Sequence, residues 1–428
     1  MRPLSTVSEP EPRRVVITGI GLITPYAVGR EASWQGICSG VSAIQPLDAL
    51  SLQLKRPLAG GIIPDPSLSS ASLSSSTPLQ TEPSLTLALQ AGTEAFEDAG
   101  LDLNHLNRET TGCVIGSSKG GMASFAQLAA LSHQDASAAE QVPPELWLQC
   151  FAGAASHSFA AHFNLQAAAL TPVSACATGF SSIMRGAELI QDGVCDTVLA
   201  GSTDASLLPA VLASFHRMGV LASQFDHPSQ ACRPYDVRRN GFVVGEGAGI
   251  LVLESLEQAQ KRNVTPYAEW LTGGLGADST HLMQFDPRAE SLSHLINVTL
   301  DRAGVAHEEV DYINLHGTGT QINDIYETHA LQKAFGPHSA ALACSSLKGG
   351  MGHLLGAAGS VELALTLLAM RDGIVPPTLN LENPDPECPL NYTPQVAVSR
   401  EISTALKLSF GFGGHLSAGL VRKWDSDR

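Results

Sequence analysis

Charged residues are scarce in this sequence, at only 15% of 428 residues. The 25 basic residues are outnumbered by 41 acidic ones, the formal net charge is −16, and no basic run interrupts this acidic excess. Nucleic acids and anionic membrane surfaces repel such a chain, so neither is expected as a partner. Hydrophobic residues make up 44%, which allows a large buried core and is typical of a globular enzyme rather than a disordered segment.

Other absences exclude further classes of protein. No apolar run reaches the ~18 residues that a membrane-spanning helix needs. The run VVITGIG (15–21) follows two arginines but contains glycine and lacks an A-x-A site, so we expect a strand rather than a signal peptide. The eight cysteines include no C-x-x-C pair, which favours free thiols in a reducing cytoplasm. Neither a G-x-x-x-x-G-K-[ST] nor a G-x-G-x-x-G motif occurs, so no nucleotide cofactor is implied.

Proline, serine and glycine mark the boundaries of the predicted elements. Residues 1–13 are polar and rich in Pro and Glu, and we expect a flexible N-terminal tail. The segment PDPSLSSASLSSSTPLQTEPS (64–84) has no Lys or Arg and many Ser and Pro, which predicts an exposed loop. A helix is predicted over 85–100, with a terminal glycine. Short apolar runs and longer helical patterns then alternate, which indicates an α/β fold with helices covering a sheet.

Two later segments resemble each other. GFSSIMRGAELIQDG (179–193) and GSVELALTLLAMRDG (359–373) are both helical patterns that open on Gly and close on Asp-Gly. Each follows a Gly/Ala-rich stretch with one reactive residue, Cys176 or His353. A core duplicated in two halves would produce this echo, and because few residues are identical, chance similarity is the alternative.

Cys176 is the first candidate for chemistry. It lies in VSACATGFSS (173–182), before a predicted helix whose free N–H groups and positive dipole end face the sulfur, which predicts a favoured thiolate. Its small neighbours leave room for an acyl group, so we interpret it as a nucleophile. The other cysteines are expected to be small core residues.

Two of the 14 histidines lie in glycine-lined segments, His316 in NLHGTGT and His353 in SSLKGGMGHLLGAAGS. His316 follows a buried-strand pattern directly, at the carboxyl end of a strand, where α/β sites form. Cys176 and both histidines could instead hold zinc, but Cys176 and His316 are 140 residues apart and no closely spaced ligand pair occurs. Catalysis is therefore preferred, and no metal is expected.

Five motifs with glycines and reactive residues are distributed along the chain: VSACATG, ACRPYDVRRNGFVVGEGAG (231–249), LHGTGT, SSLKGGMGHLLGAAGS and LSFGFGG (408–414). In these motifs the chain resembles, from Val15 to Arg422, a β-ketoacyl-acyl carrier protein synthase, the elongating condensing enzyme of the thiolase superfamily. The resemblance implies a thiolase-like α/β fold with a duplicated five-layer α-β-α-β-α core, in halves 14–264 and 265–428. It also implies a cytoplasmic acyltransferase that works with acyl carrier protein, needs no cofactor, and forms a homodimer or a heterodimer with a second ketosynthase-like subunit.

The resemblance also implies roles for individual residues. Cys176 would accept the acyl group, and neutral His316 and His353 would hydrogen-bond the thioester carbonyl of malonyl-carrier protein as it loses carbon dioxide. The carbanion would attack the acyl-cysteine, whose oxyanion would be held by the N–H groups of Cys176 and Phe412. Lys348 would form an ion pair with Glu362, and the acidic residues Asp324 and Glu327 would fix the histidine tautomer. Thr318 and Thr320 would contact the pantetheine arm. Gly411, Gly413 and Gly414 would form a hinge beside the Phe412 gate, and Phe215 and Lys119 would lie at the substrate pocket.

Two departures from the family pattern concern the acyl site. His415 and Leu416 replace the usual Thr-Asn after FGFGG, so the gate loop must satisfy its hydrogen bonds differently. Lys119 replaces an apolar residue that guards the acyl pocket, and a buried unpaired cation is costly. We therefore expect Lys119 to find an acid, to point away, or to limit the pocket to short or polar chains, and we infer a non-standard acyl substrate.

A third departure concerns carrier docking. Residues 64–83 lack the basic cluster that usually meets the acidic carrier protein, so electrostatic steering should be weak. Docking is expected to rely on Arg217, Arg238 and Arg239, or on a basic face of a partner subunit.

The preferred function is decarboxylative Claisen condensation in type II fatty-acid or polyketide/polyene assembly. One alternative is a partner subunit that shapes the chain length of a heterodimeric ketosynthase. Such partners lack the nucleophile, whereas this chain has Cys176, His316 and His353. Another is a degradative thiolase or hydroxymethylglutaryl-type synthase acting on coenzyme A thioesters, but those resemble neither the HGTGT element nor the Lys-x-x-x-x-His spacing.

Overall fold

The computed structural model describes residues 12–72 and 81–426. Most of the predicted N-terminal tail (1–13) and the middle of the serine-rich segment (64–84) lie outside these residues. The predicted α/β fold is confirmed, and the expected first strand is present. No helix within the described residues is long and apolar enough to cross a membrane.

The first part of the chain alternates strands with helices of very different lengths. Its elements are β1 Val15–Ile23, α1 Arg30–Cys38, β2 Gln45–Pro46, α2 Asp48–Leu54, β3 Ala59–Gly61, α3 Pro83–Asp98, β4 Thr111–Gly116, α4 Met122–Gln134, α5 Ala136–Glu140, α6 Pro144–Leu148, α7 Ala154–Phe163, β5 Ala169–Leu170, α8 Thr178–Gln191, β6 Thr197–Asp204, α9 Pro209–Arg217, β7 Val244–Gly245, β8 Gly247–Ser255 and α10 Leu256–Lys261.

The second part continues the alternation and ends in a long hairpin. Its elements are β9 Ala268–Ala277, α11 Glu290–Ala303, β10 Tyr312–Asn314, α12 Gln321–Phe335, β11 Ala343–Ser345, α13 Lys348–Met351, α14 Ala358–Asp372, β12 Ile374–Val375, β13 Val398–Ser399, β14 Thr404–Gly411 and β15 His415–Lys423.

The main sheet has the same strand order twice. Within the described residues its ten strands run β11-β10-β14-β15-β9-β1-β8-β6-β4-β5, and the halves join where Val15–Ile17 pairs with Ala268–Trp270. Read from either edge to this junction, the strands of each half occur as the third, second, fourth, fifth and first in chain order. A duplicated core produces such a repeat, and it agrees with the echo seen in the sequence.

The helices form the other layers. α3 and α7 cover the outer face of the first half-sheet, and α11 and α12 cover the outer side of the second. α8 and α14, the two helices of the sequence echo, lie between the half-sheets. They cross closely at glycines: a Cβ on Gly179 would lie 2.7 Å from the Ser360 nitrogen, and one on Gly359 would lie 2.6 Å from the Phe180 nitrogen. The result is the expected α-β-α-β-α arrangement.

The serine-rich segment departs from its prediction where the structure describes it. Ser69 and Ser70 are buried, and so is Glu246. The Ser70 backbone N–H and hydroxyl donate to the Glu246 carboxylate at 3.0 and 2.5 Å, and the Ser69 hydroxyl donates to its other oxygen. The prediction of an exposed loop is therefore wrong for these residues, because their hydroxyls satisfy a buried carboxylate that the sequence pattern does not reveal.

Candidate active site

Cys176 lies in a tight 3₁₀ turn, Ala175–Ala177, immediately before α8. Ala175 has a φ of 49°, in the left-handed region that side-chain-bearing residues rarely adopt. Leu355, in the corresponding turn before α14, has a φ of 50°. Both halves therefore use a sharp turn before a central helix, and in the first half this turn presents the thiol.

The gate loop (residues 411–414) packs directly against this turn. A Cβ on Gly411 would lie 2.7 Å from the Ser174 carbonyl oxygen and 3.0 Å from the Cys176 nitrogen. This close approach allows the backbone N–H of Phe412 to hydrogen-bond the Cys176 sulfur. The Phe412 N–H is thus placed where the predicted oxyanion site requires a donor.

The prediction of a favoured thiolate is wrong for the free protein. Cys176 is only 7% exposed, and burial raises the pKa of its thiol to about 11. Lys119, Lys348 and the Phe412 N–H lower this pKa, but less than burial raises it. Desolvation therefore outweighs the helix dipole and nearby cations, and the resting group is a thiol.

The rings of His316 and His353 pack edge to face on the same cavity wall as Cys176. Their ring centroids are 5.3 Å apart and their planes meet at 82°. The Leu355 backbone N–H donates to Nδ1 of His353 at 3.2 Å, which leaves the proton of the neutral ring on Nε2. Burial, with Lys348 next in size, lowers the pKa of both imidazoles well below the usual histidine value. Both rings are therefore neutral, as the proposed donors must be.

Glu327 and Asp324 hold the HGTGT loop through its backbone. Glu327 accepts from the N–H groups of His316 and Gly317 at 2.7 and 2.9 Å. Asp324 accepts from the N–H groups of Thr318 and Gly319 at 3.1 and 3.2 Å. Neither carboxylate contacts the His316 ring, whose Nδ1 has no partner among the described residues. The expectation that these acids fix a histidine tautomer is wrong: they shape the loop instead.

Lys348 makes the ion pair implied by the family resemblance. Its Nζ lies 2.5 Å from Glu362 Oε1 and also donates to the His316 carbonyl oxygen at 2.5 Å. The other oxygen of Glu362 accepts from a second buried lysine, Lys407, at 2.6 Å. Sequence reasoning missed Lys407, although a lysine inside the apolar pattern of LKLSFGFGG is the signal that could have revealed it.

A cavity of about 540 Å³ connects the reactive residues. The Thr318 and Thr320 hydroxyls are 2.9 Å apart on its wall. Of the predicted site residues, its wall contains Cys176, His316, His353, Thr318, Thr320, Gly411 and Phe412. Lys348, Glu362, Asp324 and Glu327 support these residues from outside the wall.

Phe215 and Lys119 lie outside this cavity wall. Phe215 belongs to the buried apolar cluster that also contains Cys176, and its ring centroid is 6.4 Å from that of Phe412. The Lys119 Nζ lies 5.7 Å from the Phe215 ring centroid, so the cation borders this apolar cluster. An acyl chain on Cys176 that entered the cluster would approach Lys119.

Lys119 pairs with an acidic residue, Asp204, as the first of the three expectations states. It is 24% exposed, its Nζ lies 3.7 Å from Asp204 Oδ2, and it donates to the Ser118 hydroxyl at 2.8 Å. Asp204 is itself buried and also accepts from the Gly356 backbone N–H at 3.2 Å. Sequence reasoning did not single out Asp204, since nothing in its local pattern distinguishes it from an ordinary strand-end residue.

The gate loop satisfies its hydrogen bonds through the segment after β9. The Gly413 N–H donates to the Leu282 carbonyl at 2.9 Å, and the Gly414 carbonyl accepts from the Asp278 N–H at 2.9 Å. Gly414 has a φ of 76°, and a Cβ there would lie 1.8 Å from the Asp278 carbonyl oxygen. The His415 side chain is exposed at the start of β15. Backbone groups therefore replace the Thr-Asn of the family pattern.

The three arginines considered for carrier docking lie in different environments. Arg217 is exposed at the end of α9. The exposed Arg238 pairs with Glu382. Arg239 is buried, with Nη1 2.6 Å from Asp385 and Nε 3.6 Å from Asp324. The prediction is therefore wrong for Arg239, which is buried at the cavity wall and held by these carboxylates instead of facing a partner.

Two family models together match most of the chain, up to residue 382. The Beta-ketoacyl synthase N-terminal domain matches residues 12–259, and the Beta-ketoacyl synthase C-terminal domain matches residues 267–382. The 3-oxoacyl-[acyl-carrier-protein] synthase 2 of Coxiella burnetii is 37% identical over 411 residues, covering 94% of this chain and 97% of that protein. The tetracenomycin polyketide synthase ketoacyl synthase alpha subunit of Streptomyces glaucescens is 34% identical over 424 residues, covering 96% and 97%.

Solved ketosynthase structures have the same fold. One is a type II polyketide acyl-carrier protein in complex with its ketosynthase bound to the hexaketide, with a TM-score of 0.88, 30% identity, and coverage of 97% of this chain and 100% of that chain. Another is the ishigamide ketosynthase/chain length factor, with a TM-score of 0.85, 31% identity, and coverage of 97% and 100%.

Proposed function

Because this chain belongs to the β-ketoacyl synthase family, we propose that it is an acyltransferase that extends acyl chains carried by acyl carrier protein. It would load the acyl group on Cys176 and condense it with a malonyl unit, in type II fatty-acid or polyketide assembly. The observation that carries this proposal is the convergence of Cys176, His316 and His353 on one cavity, with the Phe412 N–H at the sulfur.

The first half-reaction transfers the acyl group to the thiol. The Cys176 sulfur attacks the carbonyl carbon of acyl-carrier protein, and the oxyanion is held by the N–H groups of Cys176 and Phe412. The bond to the carrier sulfur breaks, and the proton from Cys176 passes to that sulfur. Because the resting group is a thiol, this proton leaves as the sulfur attacks, and it is delivered to the carrier sulfur as the thioester bond breaks.

The second half-reaction forms the carbon–carbon bond. The malonyl carboxylate leaves as carbon dioxide, and its bonding electrons form an enolate whose charge develops on the thioester oxygen. The Nε2–H of His353, whose tautomer Leu355 fixes, donates to this oxygen together with His316. The enolate carbon attacks the acyl carbonyl, and Cys176 leaves as a thiolate that is then protonated.

The acyl substrate is proposed to be short or polar. Lys119 and Asp204 form a charged pair beside Phe215, so a long saturated chain that reached Phe215 would have to approach a cation. A chain-length series in which carrier proteins with long saturated acyl groups acylate Cys176 fastest would contradict this proposal.

We propose acyl carrier protein as the partner, with Arg217 and Arg238 as docking residues, and a cytoplasmic location. The halves are proposed to meet near residue 265, between α10 and β9, with ranges 14–264 and 265–428. The chain would work as a homodimer or with a second ketosynthase-like subunit.

A role as the chain-length-shaping partner is the second candidate function, because one structural neighbour is a ketosynthase/chain length factor. Cys176 on the cavity wall favours the catalytic role.

The proposed reaction is tested by product analysis. The purified protein is incubated with a short acyl-carrier protein and ¹³C-labelled malonyl-carrier protein, and carrier-bound products are measured by mass spectrometry. The proposal expects a 3-oxoacyl-carrier product two carbons longer than the substrate, with loss of labelled carbon dioxide. Release of carbon dioxide without an extended product, in wild type and Cys176→Ala alike, would overturn it.

A further inference from the structure

A second lysine, Lys407, is buried beside the active site. It lies on β14, has no exposed side-chain surface, and donates through Nζ to Glu362 Oε2 at 2.6 Å and to the Leu408 carbonyl oxygen at 2.7 Å. Glu362 therefore lies between two ammonium groups, since its other oxygen contacts Lys348. We call Lys348, Glu362 and Lys407 the lysine–glutamate cluster.

This cluster carries excess positive charge when all three groups are ionised. One Lys–Glu pair would be neutral, and a buried ion is costly unless its charge is compensated. The strand neighbours of Lys407 supply no further charge, because it pairs in register with Asn314 on β10 and Gly419 on β15. A buried extra cation so close to the reacting atoms is a feature that packing alone does not require, since an apolar side chain would fill the same space.

The cluster is connected to the reactive residues by direct contacts and by charge. The Lys348 Nζ that binds Glu362 also donates to the His316 carbonyl oxygen at 2.5 Å. The charged groups that act on Lys407 are Glu362 and Lys348 of the cluster and Glu327 on α12. The neutral imidazoles of His316 and His353 are the other titratable groups close to it. After burial and Lys348, Lys407 is among the cations that lower the pKa of both imidazoles.

We propose that Lys407 is a positioning residue for the decarboxylation: it occupies one oxygen of Glu362, so that Lys348 keeps uncompensated positive charge beneath His316. Together with burial, this charge keeps both imidazoles in the neutral donor form, and it stabilises the negative charge that develops on the malonyl thioester oxygen. The inference rests on the proposed function and names a residue that acts through Glu362 and Lys348 without touching the substrate.

The pH dependence follows from the sign of each effect. Burial lowers the pKa of Lys407 below the ordinary lysine value. When Lys407 loses its proton, the cluster loses its excess charge, so decarboxylation should decline at alkaline pH. Removing Lys407 raises the pKa of His316 and His353, because a cation that opposes their protonation is gone. The acid limb of the pH–rate profile should then move to higher pH.

The test compares Lys407→Met and Lys407→Gln with Lys423→Met. Lys423 lies at the far end of β15, and its Nζ donates to the Arg371 carbonyl oxygen at 3.4 Å. Malonyl-carrier protein decarboxylation is measured from pH 5.5 to 10, together with the rate of Cys176 acylation and the melting temperature. For both Lys407 variants we expect kcat to fall about tenfold with little change in KM. This loss is smaller than the roughly 10²-fold loss of a direct oxyanion donor, because Lys407 does not touch the substrate. The acid limb should shift upward and the alkaline limb should disappear, while Lys423→Met keeps the wild-type profile.

Unchanged limbs in both Lys407 variants would overturn the inference, and so would an equal loss of Cys176 acylation and decarboxylation, because that indicates general disorder of the site. If neither variant folds, the wild-type profile decides: a rate that stays flat to pH 10 overturns the inference, and an alkaline decline supports it. A wild-type protein that never decarboxylates malonyl-carrier protein would instead contradict the proposed function.

Discussion

The backbone N–H of Phe412, in the turn after β14, hydrogen-bonds the sulfur of Cys176, in the turn before α8. The nucleophile and one of its proposed oxyanion donors therefore come from distant parts of the chain, one in each repeat of the strand order. Gly411 allows this contact because its lack of a side chain lets the gate loop approach the Cys176 backbone. The site is thus a product of how the two halves pack.

Gly411→Ala should reduce activity sharply. The added Cβ would meet the Ser174 carbonyl oxygen at 2.7 Å and displace the Phe412 N–H from the sulfur. Loss of one oxyanion donor typically lowers kcat by about 10²-fold. Condensation kinetics measure the effect, and Gly153→Ala is the control, since a Cβ there meets nothing within 4 Å. Equal kcat values for both variants would contradict this role of Gly411.

Cys176 should react slowly with iodoacetamide at neutral pH. Its thiol pKa of about 11 means that the thiolate fraction rises about tenfold per pH unit up to that value. Alkylation at Cys176, followed by peptide mass spectrometry from pH 7 to 10, should therefore keep accelerating across the range. Lys119→Met should slow it further, because Lys119 lowers this pKa. A rate that levels off below pH 8 would indicate a preformed thiolate.

Lys119→Met should extend the range of acyl substrates. The change removes the cation from the edge of the Phe215 cluster and leaves Asp204 bonded to Ser118 and Gly356. We expect the ratio of long-chain to short-chain acylation rates to rise at least about tenfold, given roughly 0.8 kcal/mol per buried methylene. The exposed Lys333, in Lys333→Met, serves as the matched control. An unaltered chain-length profile in Lys119→Met would rule out a role for Lys119 in selectivity.

Ser70→Ala should destabilise the protein, whereas Ser67→Ala should not. Ser70 donates from its hydroxyl to the buried Glu246 carboxylate at 2.5 Å, whereas Ser67 donates from its hydroxyl to the exposed Asp65 at 2.7 Å. Leaving a buried carboxylate short of a donor costs about 1–3 kcal/mol. Urea unfolding of both variants measures the difference. Equal midpoints would mean that the serine segment does not stabilise the fold.

Much of the fold, and most of the residues that form the site, could be predicted from the sequence because they depend on local patterns. The alternation of apolar runs indicated the α/β layers, and the echo around Gly179 and Gly359 anticipated the two central helices. The small residues around Cys176 and His353 indicated that these two side chains belong to the site. These features depend on residues close together in the chain.

The remaining features depend on contacts between distant segments. The Cys176 pKa is set by burial of the thiol among residues distant in the chain, such as Phe215 and Leu355. Ser70 is buried against Glu246, which lies far along the chain. Glu327 binds the backbone of His316 rather than its ring, a distinction that spacing alone does not contain. Lys407 acquires its place in the site only when β14 packs against α14.

The most direct test of acyl transfer to Cys176 is the intact mass of the protein after incubation with a panel of acyl-carrier proteins, with Cys176→Ala as control. We predict one acyl adduct on the wild-type protein, strongest for short or polar acyl groups, absent in the variant, and discharged when malonyl-carrier protein is added. An adduct that persists in Cys176→Ala, or no adduct from any carrier, would contradict the claim that Cys176 is the acyl acceptor.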